Sequence, residues 1–166
     1  VKNYPVIYEA QLTKVDAEDD SKVLSGAIFE LQQKVDDEFK TIEENLTTDK
    51  NGVIYVKDLE AGEFQFVEIE APEGYLLNND PIPFTIDEEA IEVVTVTAKN
   101  NAIETTSIEG TKTWKDGDSE DRPDMIKVNL LKDGTVVDTA EVTEEDNWEY
   151  SFNNLPKTDT LGNDHE

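Results

Sequence analysis

The chain of 166 residues contains no cysteine, which excludes disulfides and thiolate metal sites and leaves the redox compartment unreadable from pairing. Histidine is nearly missing as well: the single imidazole, His165, is the penultimate residue. A zinc site, a Ser-His-Asp triad or a Cys-His dyad has almost no material to work with, and no cofactor or metal is expected. Basic residues are scarce, fourteen against forty acidic ones, and the formal net charge is −26. So acidic a surface repels phosphate backbones and anionic headgroups, so no nucleic acid and no membrane partner is expected. No stretch is apolar enough for a signal peptide or a membrane span, and export or anchoring information is expected outside this segment.

What is present is alternation. Seven short runs precede residue 101: YEAQLTKV, AIFELQQKV, FKTIEENLTT, VIYVKDL, EFQFVEIEA, IPFTI and IEVVTVTAKN. Each alternates apolar and polar residues or is rich in β-branched and aromatic ones, and the connections DKNG and APEGY carry turn chemistry. A solvated acidic tail would lack such runs, and seven strands without a convincing helix predict an all-β sandwich. The pattern restarts after NNAIETTS with IEGTKTW, an acidic loop, IKVNLLKDGTVVDTAEV with Asp133-Gly134 as a hairpin turn, and WEYSFNNL. Both segments open with a lysine-bearing strand, LTKVD and GTKTW, which suggests tandem modules.

Three strands turn a polar residue toward their apolar face. Glu68 shares parity with Phe64 and Phe66, Lys14 with Ala10 and Leu12, and Asn100 with Val94, Val96 and Ala98. A lone buried charge is costly, so the three are expected to meet. One reading is an ordinary buried ion pair, or side chains near strand ends reaching water. The other is chemical: desolvation lowers the lysine pKa and raises that of the glutamate, leaving a neutral amine beside a carboxamide. Glu68 would polarise the Asn100 carbonyl and shuttle protons, ammonia would leave, and a Lys14–Asn100 isopeptide bond would remain. This is a single-turnover self-reaction and not ordinary enzyme activity.

FQFVEIEAPEGY resembles the E-box of Gram-positive pilins and surface adhesins, of the form YxLxETxAPxGY, at Glu68, Ala71, Pro72, Gly74 and Tyr75. Phe64, Phe66 and Ile69 stand where the motif has Tyr, Leu and Thr. With LTKVD, LSGAIFEL, TDKNGV and PIPFTI around it, the region is similar to the SpaA-type, prealbumin-like module of the Cna B group, in that group's order. The resemblance implies a bond from the lysine of the first strand to an asparagine of the last, assisted by the E-box glutamate. Those positions are Lys14, Asn100 and Glu68. In KNN the neighbouring Asn101 is a second candidate, and parity with Val96 and Ala98 favours Asn100.

The second segment is similar to the opening part of a Cna B-type domain, with Lys112 at the place of its reactive lysine. The expected organisation is a tail of a preceding module or linker over 1–7, an isopeptide-forming domain over 8–101, a linker over 102–107, and the N-terminal part of a second Cna B-type domain over 108–166. The fold class is therefore all-β, tandem Ig-like or prealbumin-like sandwiches with the second incomplete. Its E-box and bonding asparagine would follow residue 166, leaving Lys112 unlinked and an apolar face around Trp114, Ile126, Val128 and Trp148 uncovered. The N-terminal VKN reads as the last strand of an earlier module.

Three signals carry less. LPKTD at residues 155–159 has Asp159 where a sortase signal has glycine, and reads as a strand end and turn. DGDSEDRPDMIK lacks the glycine and terminal glutamate of a calcium loop. Trp114 and Trp148 could stack on sugars, but their parity with Ile108 and Lys112, and with Tyr150 and Phe152, favours core packing. The expected role is a structural spacer in an extracellular, cell-wall-anchored adhesin or pilin of a Gram-positive bacterium. Its partners would be flanking modules of the same polypeptide, with any host ligand bound through other domains; the alternative is a glycan- or matrix-binding module.

Overall fold

The computed structural model describes residues 6–117 and 120–166. The VKN strand expected at the N-terminus and positions 118 and 119 of the acidic loop lie outside the described residues. The contacts divide the chain into two units, one ending at Ala102 and the other beginning at Ile103.

The first unit has seven strands: β1 (Tyr8–Asp16), β2 (Ile28–Val35), β3 (Glu38–Thr47), β4 (Val53–Leu59), β5 (Gly62–Glu70), β6 (Ile82–Ile86) and β7 (Val94–Asn100). They form a three-stranded sheet ordered β4-β1-β7 and a four-stranded sheet ordered β3-β2-β5-β6. Alternation decides which side chains lie between the sheets. In β5, Phe64, Phe66 and Glu68 are buried, while Gln65, Val67 and Ile69 on the opposite parity are half-buried or exposed. Ala10 and Leu12 of β1, Ile54 and Val56 of β4, and Phe29 and Leu31 of β2 complete the apolar interior. Aromatic packing gives it shape: Phe84 stacks on Phe64 and on Phe66 with 5.3 Å between centroids in each case, and Phe29 meets Phe66 edge-on at 6.4 Å.

Nearly every residue of β3 is exposed, and only Leu46 is partly covered. It pairs with β2 alone and forms the outer edge of its sheet, with register breaks between Phe29 and Leu31 and between Leu31 and Gln32. Its charged residues, among them Glu38, Glu43 and Glu44, suit an edge that should not recruit further strands.

β1 and β7 run parallel, with Lys14 opposite Ala98 and Asp16 opposite Asn100. Lys14 and Asn100 are thus diagonal neighbours on one face. The Lys14 backbone is held on the other side as well, its N–H donating to Gly52 O at 2.7 Å and its carbonyl accepting from Leu24 N at 2.9 Å. Gly52 has φ +72°, and a Cβ there would fall 2.7 Å from Lys14 O. Only glycine fits this approach.

The second unit has β8 (Thr105–Thr111), β9 (Met125–Lys132), β10 (Thr135–Thr143) and β11 (Glu149–Pro156). β9 pairs with β10 and β8 with β11, each antiparallel. Asp133 and Gly134 join the β9–β10 hairpin with φ 50° and 80°, the paired positive values of a type I′ turn. Its buried apolar residues, among those described, are Val142 and Phe152. Trp114, Ile126, Val128 and Trp148 are each half-buried, and Ile108, Leu131, Val136 and Val137 are exposed.

Neither tryptophan lies within a strand. β8 ends at Thr111, before Trp114, and Trp148 precedes β11 with φ 58° after Asn147 at 54°. Two consecutive left-handed residues follow the short 3₁₀ turn Glu144–Asp146, yet Trp148, Tyr150 and Phe152 are all covered while Glu149 and Ser151 between them are exposed. The LPKTD stretch is the end of β11 followed by a turn, in which the Asp159 carboxylate accepts from the Leu161 and Asn163 amides at 2.9 Å each.

The contrast in cores predicts unequal opening energies. Native-state hydrogen exchange should show β1, β2 and β5 far better protected than β8 to β11. Equal, strong protection of residues 108–155 would contradict this.

Candidate functional site: a buried lysine, glutamate and asparagine

Lys14, Glu68 and Asn100 are brought together between the two sheets, with relative exposures of 1%, 2% and 0%. Lys14 Nζ lies 3.9 Å from Glu68 Oε1. The other carboxyl oxygen, Oε2, accepts from Asn100 Nδ2 at 2.7 Å and from the backbone N–H of Asn78 at 2.8 Å. Asn100 Nδ2 makes a second donation, to Leu76 O at 2.7 Å. Glu68 therefore stands between amine and amide, one oxygen turned to each. Asn101, the alternative asparagine, is exposed.

The carboxyl meets the amide at nitrogen, whereas the sequence reading assigned it to polarising the carbonyl. Two acceptors decide the orientation. A backbone carbonyl can only accept, and Leu76 O and Glu68 Oε2 flank the same position, so the two-donor NH₂ end must occupy it. Lys14 Nζ, Glu68 Oε1 and Asn100 Oδ1 are left buried without hydrogen-bond partners.

Burial lowers the Lys14 pKa to about 8, against the attraction of Glu68 that would raise it. Burial also raises the Glu68 pKa, opposed by the Asn78 amide, the Asn100 side chain and the Lys14 charge. Both shifts move the pair toward neutrality. A neutral amine keeps its lone pair, and here no hydrogen bond occupies it.

A short segment after β5 closes this end of the sandwich. Pro72 and Tyr75 are buried, Tyr75 N donates to Pro72 O at 3.1 Å, and Leu76 N donates to Asn101 O at 2.9 Å. The Tyr75 hydroxyl donates to Asp16 Oδ2 at 2.8 Å, and the Lys22 ammonium lies 5.6 Å from the Tyr75 ring centre. Asp16 shares the parity of Lys14, and Tyr75 is the last letter of the E-box, so residue types announce both. Leu76 and Asn78 act through backbone atoms and leave no such trace.

Lys112 is not brought into a comparable setting. It is exposed, with its ammonium 4.8 Å from the Trp114 ring centre; the Arg122 guanidinium lies 5.7 Å from the same ring. Trp114 and Trp148 meet edge to face at 5.4 Å. The tryptophans thus pack on each other, with Trp114 beside two cations. Among the described residues, no group of three or more His, Asp or Glu side chains is placed to hold a metal ion.

Comparison with known proteins accords with this architecture. Residues 9–102, more than half of the chain, match the SpaA family, described as a prealbumin-like fold domain, and residues 108–166 match the Cna protein B-type domain. The collagen adhesin of Staphylococcus aureus is 46% identical over 90 residues, which cover 53% of this chain and 7% of the adhesin. The structure of BcpA, the major pilin subunit of Bacillus cereus, superposes with a TM-score of 0.53 at 30% identity, covering 63% of this chain and 31% of the pilin. The Bacillus anthracis TIE protein gives a TM-score of 0.56 at 26% identity, covering 92% of this chain and 27% of its own. The chain thus spans a small part of the length of each relative. Its relatives are Gram-positive pilins and a collagen adhesin, its architecture is all-β, and by the match over residues 9–102 it belongs to the SpaA family of prealbumin-like fold domains, here followed by a Cna B-type domain.

Proposed function

We propose that this chain is a stalk or spacer segment of a cell-wall-anchored Gram-positive adhesin or pilin, stabilised by an isopeptide bond that Lys14 and Asn100 form themselves. The observation that carries the reading is the buried amine and carboxamide on either side of one carboxyl group. Neutral Lys14 Nζ attacks Asn100 Cγ. Glu68 Oε1 takes the proton that the amine sheds, and the carboxyl, held beside Nδ2, passes that same proton on to the departing nitrogen. The C–N bond to Nδ2 breaks, a C–N bond to Nζ forms, and one ammonia leaves. Nothing is oxidised or reduced, and no cofactor enters.

The spacer is read as a domain over 8–101 joined through 102–107 to a second Cna B-type domain from 108, with flanking modules of the same polypeptide as its neighbours and host ligands bound elsewhere. Lys112 is unlinked in this arrangement. Treated like a disulfide, a bond closing the long loop from Lys14 to Asn100 contributes on the order of 4–5 kcal/mol under the chain-entropy model. Without cysteine, an amide cross-link is the covalent staple this sequence can form, and it makes the segment resistant to unfolding and proteolysis.

The intact folded chain should weigh less than its translated sequence by one ammonia, and digestion should release a joined Lys14–Asn100 peptide pair. An unshifted mass in homogeneous folded protein would rule the bond out. Glu68→Gln should fold but link at least ~100-fold more slowly, the range expected for loss of a proton-transfer group, and should lose the extra stability in urea. Full linking at the normal rate would remove Glu68 from the mechanism. When chain held unfolded and unlinked in urea is refolded by dilution, the linking rate should fall about tenfold per pH unit below 8, because the folded-state lysine is charged there. A flat profile between pH 6 and about 8 would contradict attack by the neutral amine.

A further inference from the structure

The proposed exchange leaves one choice open: the Asn100 carboxamide can be attacked by the Lys14 amine or by water. Water attack would give Asp at position 100 and free ammonia, and the bond could then never form. The segment Ala71–Asn78 covers the site. It contributes the Leu76 carbonyl that holds Asn100 Nδ2 and the Asn78 amide that holds Glu68 Oε2, so both orienting contacts from outside the strands come from this strap. Its buried side-chain anchor to the opposite sheet is the Tyr75 hydroxyl on Asp16 Oδ2, at 2.8 Å. Asp16 is the cross-strand partner of Asn100 and lies two residues beyond Lys14. The anchor therefore grips the strand that carries the nucleophile, beside the strand that carries the amide.

The other contacts of Asp16 fix its direction. Oδ1 accepts from the Glu18 amide at 2.8 Å, leaving Oδ2 for the tyrosine, and Lys22 Nζ stands 3.8 Å from Oδ2 on the outer side. A carboxylate holds both donors at once. Alanine at this position would hold neither, whereas an asparagine could still donate its NH₂ to the phenol oxygen.

We propose that the Tyr75–Asp16 hydrogen bond is a positioning latch, which closes the 71–78 strap over Asn100 and commits the carboxamide to the Lys14 amine instead of water. The proposal rests on the isopeptide reading above. Tyr75 and Asp16 touch none of the reacting atoms; they act through Leu76 and Asn78. Loosening the latch lets Leu76 O and the Asn78 amide drift, which misorients the amide and admits water in the same movement.

The test uses the full chain, refolded from urea at pH 8 and followed by intact mass. Wild type should convert wholly to the species lighter by one ammonia. Tyr75→Phe, which keeps the ring and removes only the donor, should link about tenfold more slowly, the cost of one lost orienting hydrogen bond. It should also accumulate the acid form, with Asp at position 100 identified after digestion. Asp16→Ala should do the same, and it carries the comparison if Tyr75→Phe does not refold. Ile86→Val, a core change opposite Gly62 at the end of β5 away from Glu68, supplies the control: a loss of stability alone should leave the product wholly cross-linked. Wild-type rates without acid in either latch variant would overturn the proposal, as would slower linking with no acid. Failure of both variants to refold would show the bond to be a requirement of the fold and not a positioning device. A wild-type chain that never loses ammonia would bring down the isopeptide reading itself, and the latch with it.

Discussion

Everything at the closed end of the first unit follows from burying three polar side chains between two sheets. An amine, a carboxyl and a carboxamide in an apolar interior each lose solvation worth several kcal/mol unless partners replace it. The fold supplies those partners unequally. Asn100 Nδ2 and Glu68 Oε2 are fully provided for, while Lys14 Nζ, Glu68 Oε1 and Asn100 Oδ1 are not. Apolar residues of similar volume would fill the space at less cost, so the arrangement is poorly explained as a device for packing alone. The unprovided atoms are the ones the proposed exchange uses: the lone pair that attacks, the oxygen that takes its proton and the carbonyl that receives it.

Much of this was legible in the residues because a strand has the simplest of periods. In β5 the parity of Phe64 and Phe66 carries straight to Glu68, and in β1 that of Ala10 and Leu12 carries to Lys14. Parity can fail beyond the end of a strand. Trp114 lies beyond the end of β8, and it is half-buried although Ile108 and Lys112 of the same parity are exposed. Parity also says little at β3, an edge strand with almost no buried face, although the other edge strands β4, β6 and β7 keep theirs. The contact of Glu68 with the amide nitrogen was out of reach for a different reason: it depends on Leu76 O, a backbone atom that any residue would present.

The two units use apolar residues very differently. The first encloses a stacked set of phenylalanines between its sheets. The second leaves an open apolar groove of about 610 Å³ bordered by Ile108, Leu130, Val137 and Leu155. Of its two half-buried tryptophans, Trp114 has the charged heads of Lys112 and Arg122 near its ring.

The parallel pairing of β1 with β7 has a mechanical consequence. Antiparallel neighbours would bring the chain in and out at one end, where a pull opens the pairs one at a time like a zipper. Parallel neighbours place entry and exit at opposite ends, so a pull along the chain loads every β1–β7 hydrogen bond together, in shear. Lys14 and Asn100 both lie toward the exit end. With the proposed bond in place, force would run up β1 to Lys14, cross directly to Asn100 and leave, and the more than eighty residues between them, on the order of half the chain, would bear none of it.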